Sequence, residues 1–386
     1  MFTLRQYLLA LLDSRGLTRT LGEIDVCRDE QGRPCFSAGN SAAVFRIRLG
    51  GRIRSLRCYL RPMRHLKEIY GQRLLEKELY LHTSPETGVW VDTVLGDWIE
   101  GSTLHETVAQ AAALRDRESL QILVRLFDRL ALALVTDNRA HGDLKPENII
   151  VGDDGTLCPI DFDASYLPAF AGEISPELGT AAYQHPARTA ADFDERIDDY
   201  PAALISTALH ALALDPTLYV RYPDADGLLF SPQQIRTDEA LREALALFEK
   251  RGMAVQYRIA QLLTAPTLRL FGLAELLAEA VREKPAVRSG TEAETPELFV
   301  ENGRWGYRTA ERVVVAPLYD NGFDFTEGLA AVQLGGTWHY IDTAGRTRLS
   351  CPGCAAVKPF RGGKAQVVRN GERQEIAHPL KTPRYQ

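Results

Sequence analysis

His141-Gly142-Asp143-Leu144-Lys145-Pro146-Glu147-Asn148-Ile149-Ile150-Val151 is the stretch from which the rest of the chain is read. A loop carrying Asp, Lys and Asn runs into an apolar, β-branched tail. Gly152-Asp153-Asp154-Gly155 then supplies a turn, and Ile160-Asp161-Phe162-Asp163 follows. Apolar runs on either side of a Gly/Asp turn predict a β-hairpin. Such a hairpin brings the loop before its first strand next to the residue after its second. Asp143, Asn148 and Asp161 would then offer hard oxygens, and Lys145 an ammonium. Those groups suit a divalent cation and a polyphosphate.

Outward from this stretch, composition sets the limits. A chain of 386 residues can bury at least one large core and predicts two or more domains. Hydrophobic content of 45% and charged content of 25% are those of an ordinary globular protein. The net charge of −6 gives no general attraction to nucleic acid or to an anionic membrane. No run of 18 apolar residues is present, so no membrane span is expected. Thr3 to Asp13 carries polar residues at helical spacing and lacks a small-residue cleavage site, which predicts an amphipathic helix and not a secretory leader. Six scattered cysteines do not make a disulfide framework. Cys351-Pro352-Gly353-Cys354 has no second Cys/His pair nearby and reads as a tight turn between strands. A reducing, cytoplasmic setting is the expectation.

Residues 22 to 60 alternate short β-prone runs with turns, including a Gly50-Gly51 hairpin turn before the strand Ile53 to Leu60. After Pro62 the spacing of Leu66, Ile69, Tyr70, Leu74 and Leu75 predicts a helix to about Leu81. Val89 to Ile99 returns to strand. From Thr103 the chain turns helical, over His105–Leu114, Glu118–Thr136, Tyr200–Leu214, Asp238–Lys250 and Leu273–Arg282. Residues 286–296 are polar and aperiodic, and read as a linker.

Beyond the linker the chain repeats itself. Asn302-Gly303-Arg304-Trp305-Gly306-Tyr307 returns as Gly335-Gly336-Thr337-Trp338-His339-Tyr340, with 338 − 305 = 33 residues between tryptophans. Phe325 to Val332 returns as Phe360 to Val367, 360 − 325 = 35 residues later, and Asn370-Gly371 begins a third, truncated unit. A period of this length means stacked supersecondary units. Trp and Tyr at fixed places in strand-turn-strand units resemble the WG-repeat family, which implies a β-rich surface for binding or scaffolding. So few units are expected to need packing on the preceding domain.

The spacing Asp143, Lys145, Asn148, Asp161 closely resembles the catalytic loop and metal-binding Asp of bacterial serine/threonine-type protein kinases. Gly179-Thr180-Ala181-Ala182-Tyr183-Gln184-His185-Pro186 resembles the end of a kinase activation segment. Asp198-Asp199-Tyr200-Pro201 resembles the start of the central helix, whose Asp braces the catalytic loop, and Trp98-Ile99-Glu100-Gly101 sits at the place of the hinge. The resemblance covers about residues 20 to 285. It implies an α+β, bilobal kinase-like fold, with residues 1–100 as a helix and small antiparallel-sheet lobe and 101–285 as a helical lobe. A β-rich WG domain would follow over 297–386. The implied cofactors are ATP and Mg2+. Asp143 would accept the substrate hydroxyl's proton, Lys145 would sit beside the transferred phosphate, and Asn148 and Asp161 would hold metal. Gly39, Val44, Arg57 and Glu100 would contact nucleotide.

The departures are as informative. At the Gly-rich loop positions stand Ser37, Gly39, Ala42 and Val44, so one glycine remains. Arg57 stands in or next to the place of the phosphate-gripping lysine, with Glu68 and Glu76 both candidates to pair with it. An arginine fork is not equivalent to a lysine at a tight phosphate site. Gly142 replaces the arginine that receives an activation-loop phosphate. Asp163 replaces the motif glycine and reads either as a further metal-side carboxylate or as a solvated turn residue, the latter preferred. Ala187 replaces a glutamate. The function expected is therefore ATP- and magnesium-dependent transfer of phosphate to a protein hydroxyl, with the repeats binding a protein partner. The alternatives are a pseudokinase scaffold and a small-molecule phosphotransferase of the aminoglycoside-kinase type. Lys145 and the 179–186 segment speak against the last. Neither nucleic acid nor membrane is an expected partner.

Overall fold

The computed structural model describes all residues except 153–154, 224–226, 283–295, 302, 310–311, 370–371 and 380–386. The chain divides into two units, Met1–Lys284 and Pro285–Gln386. Helices and antiparallel sheets together make it an α+β protein. The expected linker at 286–296 lies, but for Pro296, outside the described residues.

In the first unit, Thr3 and Gln6 form a reciprocal capping box that starts helix α1 (Leu4–Leu12). Strands β1 (Asp25–Val26), β2 (Phe36–Ala38), β3 (Ala42–Leu49) and β4 (Arg52–Tyr59) follow, then helix α2 (Leu66–Tyr70) and strands β5 (Leu74–His82) and β6 (Gly88–Asp97). The sheet runs β1-β3-β4-β6-β5, with β2 beside β3, and the pairings are antiparallel. Successive side chains along a strand face opposite ways. Ala43, Phe45, Ile47, Leu56 and Cys58 therefore pack with Tyr7, Ala10 and Leu11 of α1. Ala42, Tyr59 and Val94 belong to a second cluster with Tyr70.

The helix expected after Pro62 to about Leu81 forms only in its first part. Helix α2 has five residues, Gly71 follows with φ 55, and the chain from Leu74 is strand β5. Leu74 and Leu75 extend the helical spacing of Leu66, Ile69 and Tyr70, but pairing with β6 overrides that local pattern. A register shift between Leu75 and Leu79, with Lys77 at φ 50, turns Glu78 inward beside Leu79. Glu78 is 1% exposed, and its carboxylate accepts N–H groups from Arg19, Thr20 and Leu21 and the Thr20 hydroxyl. Four donors compensate its lost hydration.

Strands β7 (Gly101–Thr103), β8 (Ile149–Gly152) and β9 (Leu157–Pro159) form a small sheet, so the expected hairpin is present as β8-β9. Around it stand α3 (Leu104–Ala113), α4 (Arg117–Thr136), α5 (Asp199–Leu214), α6 (Leu218–Arg221), α7 (Glu239–Arg251), α8 (Ala254–Leu262) and α9 (Leu273–Arg282). Helix α5 is buried along nearly its whole length, and Phe127, Ala131, Leu204, Ile205, Leu212 and Phe248 share its core. Helix α8 was not expected. Gly252 in the left-handed region caps α7 and lets the chain turn into it.

The second unit has only strands among its described residues. Sheets β10 (Glu297–Glu301), β11 (Arg304–Arg308), β12 (Val313–Tyr319); β13 (Asn321–Gly322), β14 (Leu329–Leu334), β15 (Thr337–Asp342), β16 (Thr347–Cys351); and β17 (Cys354–Val357), β18 (Lys364–Arg369), β19 (Glu372–Ala377) follow in order. The sequence repeat is a repeat of contacts. The hydroxyl of Tyr307 donates to Phe323 O at 2.7 Å, and that of Tyr340 to Lys358 O at 2.7 Å. Tyr307 packs on Phe325 and Tyr340 on Phe360, with ring centroids 4.8 and 4.6 Å apart. Pro352-Gly353 turns between β16 and β17, and Cys351 and Cys354 are buried free thiols. Asn302, Asn370 and Gly371 lie outside the described residues.

Candidate active site

The loop at 141–148 is set by its backbone. Asp198, 1% exposed, accepts the N–H groups of His141 and Gly142, the latter at 3.0 Å. Gly142 has φ 81, and a Cβ there would lie 2.0 Å from the Ala164 carbonyl oxygen. No other residue fits, which is why a glycine interrupts the motif here. The His141 ring nitrogen Nε2 lies 2.8 Å from Ile160 O, and the ring packs on Phe162 at 5.1 Å. Ile160 N donates to Asn148 O at 2.8 Å. Asn148 is thereby joined to the residue just before Asp161. Asp161 itself is in the left-handed region, at φ 65.

Asp143, Lys145 and Asn148 form one hydrogen-bonded group. Asp143 Oδ1 accepts Thr180 N at 2.6 Å, and Asp143 Oδ2 accepts Asn148 Nδ2 at 3.1 Å. Lys145 Nζ lies 3.2 Å from Asp143 Oδ2 and donates to Thr180 Oγ1 at 2.7 Å. Asn148 Nδ2 also donates to Asp143 O, so the amide nitrogen faces Asp143 and the amide oxygen faces away. Asp143 and Lys145 keep about a fifth of their side-chain surface accessible, 18% and 22%.

Arg57 joins Asp161 to a second group. Val44 on β3, Arg57 on β4 and Val94 on β6 stand in register across the sheet, so they share a face. The Arg57 guanidinium pairs with Asp161 and donates to Asp163 Oδ2 from Nε at 3.0 Å and from Nη2 at 2.7 Å. Its carboxylate partners are thus Asp161 and Asp163, not Glu68 or Glu76. Glu68 is an exposed residue of the short α2, and Glu76 lies 3.5 Å from Lys67 on the outside of β5. Nor is Asp163 a solvated turn residue. It is 4% exposed, and its Oδ1 accepts Tyr59 OH at 3.1 Å and Tyr70 OH at 2.6 Å. Burial presses Arg57 toward its neutral form, but the two carboxylates outweigh it and hold the pKa above the ordinary arginine value. Burial raises both tyrosines, so they remain neutral donors.

Of the other expected residues, Gly39 lies in the turn between β2 and β3, where its N–H donates to Ala42 O at 2.9 Å and nothing crowds its Cα. Glu100 precedes β7, and its side chain pairs with Arg46 of β3. The sequence reading missed Thr180, Tyr59, Tyr70 and Glu177 as members of this neighbourhood. Glu177 pairs with Arg61 and accepts the Ser41 hydroxyl at 3.0 Å, which ties the 168–180 segment to the turn holding Gly39. The arginine at 57 together with the aspartate at 163 was the available signal, since each departs from the kinase pattern and each compensates the other.

For magnesium, the donor chemistry fits a two-ligand site. Asn148 offers an amide oxygen and Asp161 a carboxylate that is 40% exposed. Among the described residues no group of three or more His, Cys, Asp or Glu side chains could hold a metal. Magnesium commonly takes one or two protein oxygens and completes its shell with phosphate and water.

The WG containing repeat family matches residues 308–338. The chain is 28% identical over 171 residues to CBL-interacting protein kinase 17 of Oryza sativa subsp. japonica, covering 42% of this chain and 35% of that protein. It is 34% identical over 113 residues to serine/threonine-protein kinase PknL of Mycobacterium tuberculosis, covering 28% of this chain and 27% of that protein. The chain therefore has weak, partial similarity to serine/threonine protein kinases, and it spans about a third or less of these relatives' length. No helix among the described residues is long and apolar enough to cross a membrane.

Proposed function

We propose that this protein is an ATP- and magnesium-dependent phosphotransferase acting on a protein serine or threonine hydroxyl. In this reading residues 1–100 and 101–285 are the two lobes of a kinase-like fold, and the repeats at 297–386 engage a protein partner. The observation that carries it is the Asp143-Lys145-Asn148-Thr180 group. A carboxylate fixed by Asn148 and the Thr180 N–H would orient a hydroxyl and accept its proton. An ammonium 3.2 Å from that carboxylate would neutralise charge building on the transferred phosphoryl group. Asn148 and Asp161 would hold magnesium, which when bound screens the phosphate oxygens from the attacking group. Val44 would pack on the nucleotide base, the Gly39 turn would close over phosphate, and the backbone near Glu100 would meet adenine.

A second reading, a pseudokinase scaffold, is favoured by the Arg57 pair. That arginine holds Asp161, the carboxylate the metal would need, and it is not free to grip phosphate. Thermal shift with Mg-ATP and release of ADP, measured on wild type and Asp143→Ala, separate the two. The first reading expects both proteins to be stabilised by Mg-ATP and only wild type to turn over. Stabilisation without Asp143-dependent turnover would establish the scaffold instead.

A further inference from the structure

Gln184, Arg188 and Tyr200 line a cavity of about 110 Å3, together with Arg196 and Arg269, and neither Asp143, Lys145, Asn148 nor Asp161 is among its lining residues. Arg188 uses only Nη1: it donates to Gly142 O at 3.1 Å and to the Gln184 side-chain oxygen. Its Nε and Nη2, the two groups of one guanidinium edge, are buried with no acceptor. The same holds for Gln184 Nε2 and Tyr200 OH, on residues 5% and 2% exposed. Buried donors are ordinarily partnered, so four orphans on three residues lining one small cavity require an explanation. The acidic side chains at the cavity do not provide it. Asp192 Oδ2 accepts Thr189 N and Oγ1, each at 2.7 Å. Asp194 accepts Arg196 N at 2.8 Å and faces Arg269 at 3.4 Å, while Asp198 is taken by His141 and Gly142.

We infer that this cavity is a binding site for a phosphate-type oxyanion, separate from the nucleotide site. The open Arg188 edge presents two parallel N–H groups, the geometry that takes two oxygens of one anion. Tyr200 OH and Gln184 Nε2 supply two further donors. A charged fork with two neutral donors on the same lining suits a tetrahedral oxyanion, whose oxygens accept from several directions at once. Burial works against the Arg188 charge and lowers its pKa, a penalty that a bound anion would relieve. Because Arg188 also holds Gly142 O, the anion would fix the backbone beside Asp143. Asp192 and Asp194 also line this space, but their carboxylates are engaged by Thr189, Arg196 and Arg269 and leave the Arg188 edge open.

Thermal shift and calorimetric titration of the full chain with inorganic phosphate, against acetate and chloride at equal ionic strength, test this. Phosphate should stabilise wild type more than acetate or chloride does. It should bind Arg188→Lys at least about tenfold more weakly, since the fork is lost while the charge is kept. Tyr200→Phe, a milder change, should also weaken binding. Lys145→Met should leave it unaltered, which separates this cavity from the nucleotide site and from the proposed phosphotransfer. If phosphate acts no more strongly than chloride, or equally on wild type and Arg188→Lys, the cavity holds only water and the inference is wrong. Loss in Lys145→Met with retention in Arg188→Lys would place phosphate at the nucleotide site and also overturn it.

Discussion

Replacing Arg57 by methionine tests the group that most distinguishes this site. Its guanidinium makes two hydrogen bonds to Asp163, at 3.0 and 2.7 Å, and pairs with Asp161. Without it Asp163, 4% exposed, keeps only the Tyr59 and Tyr70 hydroxyls against a full buried charge. Removing one partner of a buried pair costs roughly 3–5 kcal/mol. Arg57→Lys keeps the charge but loses the fork, and should cost about 1–2 kcal/mol. The pair Arg57→Met with Asp163→Asn removes the stranded charge while retaining an oxygen for the tyrosines. It should be less destabilised than Arg57→Met alone, by about 2 kcal/mol. Every described helix lies in the first unit, so urea titration followed by ellipticity at 222 nm reports on that unit. The same Arg57→Lys protein should keep or gain Mg-ATP affinity, because Asp161 is held less firmly. A cost below about 1 kcal/mol for Arg57→Met, or a double variant as unstable as the single one, would refute the account of this cluster.

Three further outcomes follow from particular contacts. Burial pushes the Asp199 carboxyl up to about 7, so the folded state holds a proton that the unfolded chain releases between pH 4 and 7. Its contribution to stability is full below pH 4 and lost as pH rises through 7; Asp199→Asn should flatten that slope and gain up to about 4 kcal/mol at pH 8 in urea titrations. His105 titrates above its ordinary value because Glu147 lies 2.9 Å away, so the pair stabilises below pH 6.5 and weakens as the imidazole deprotonates. Glu147→Gln should bring the His105 midpoint down, as read from imidazole resonances against pH. Tyr340→Phe removes the 2.7 Å bond to Lys358 O and should destabilise the second unit by about 1 kcal/mol, with Tyr307→Phe costing about the same. Hydrogen exchange of the β15 and β11 amides would measure both.

Where structure depends on neighbours in the chain, the sequence sufficed. The β8-β9 hairpin, the helices from α3 to α5 and the tyrosine–phenylalanine repeat follow from periodicity, turn residues and fixed spacing. Distant partners decided the rest. Leu74 and Leu75 carry a helical pattern, yet β6 offers them a ladder, and a strand results. Asp163 reads as a turn residue until β4 brings Arg57 and Tyr59 to it from more than a hundred positions away. Gly142 looks like a lost arginine, and only the approach of Ala164 reveals a place where no side chain fits. Charge pairing and close packing act through space, so a carboxylate's role is fixed by what folding sets beside it and not by its neighbours in sequence.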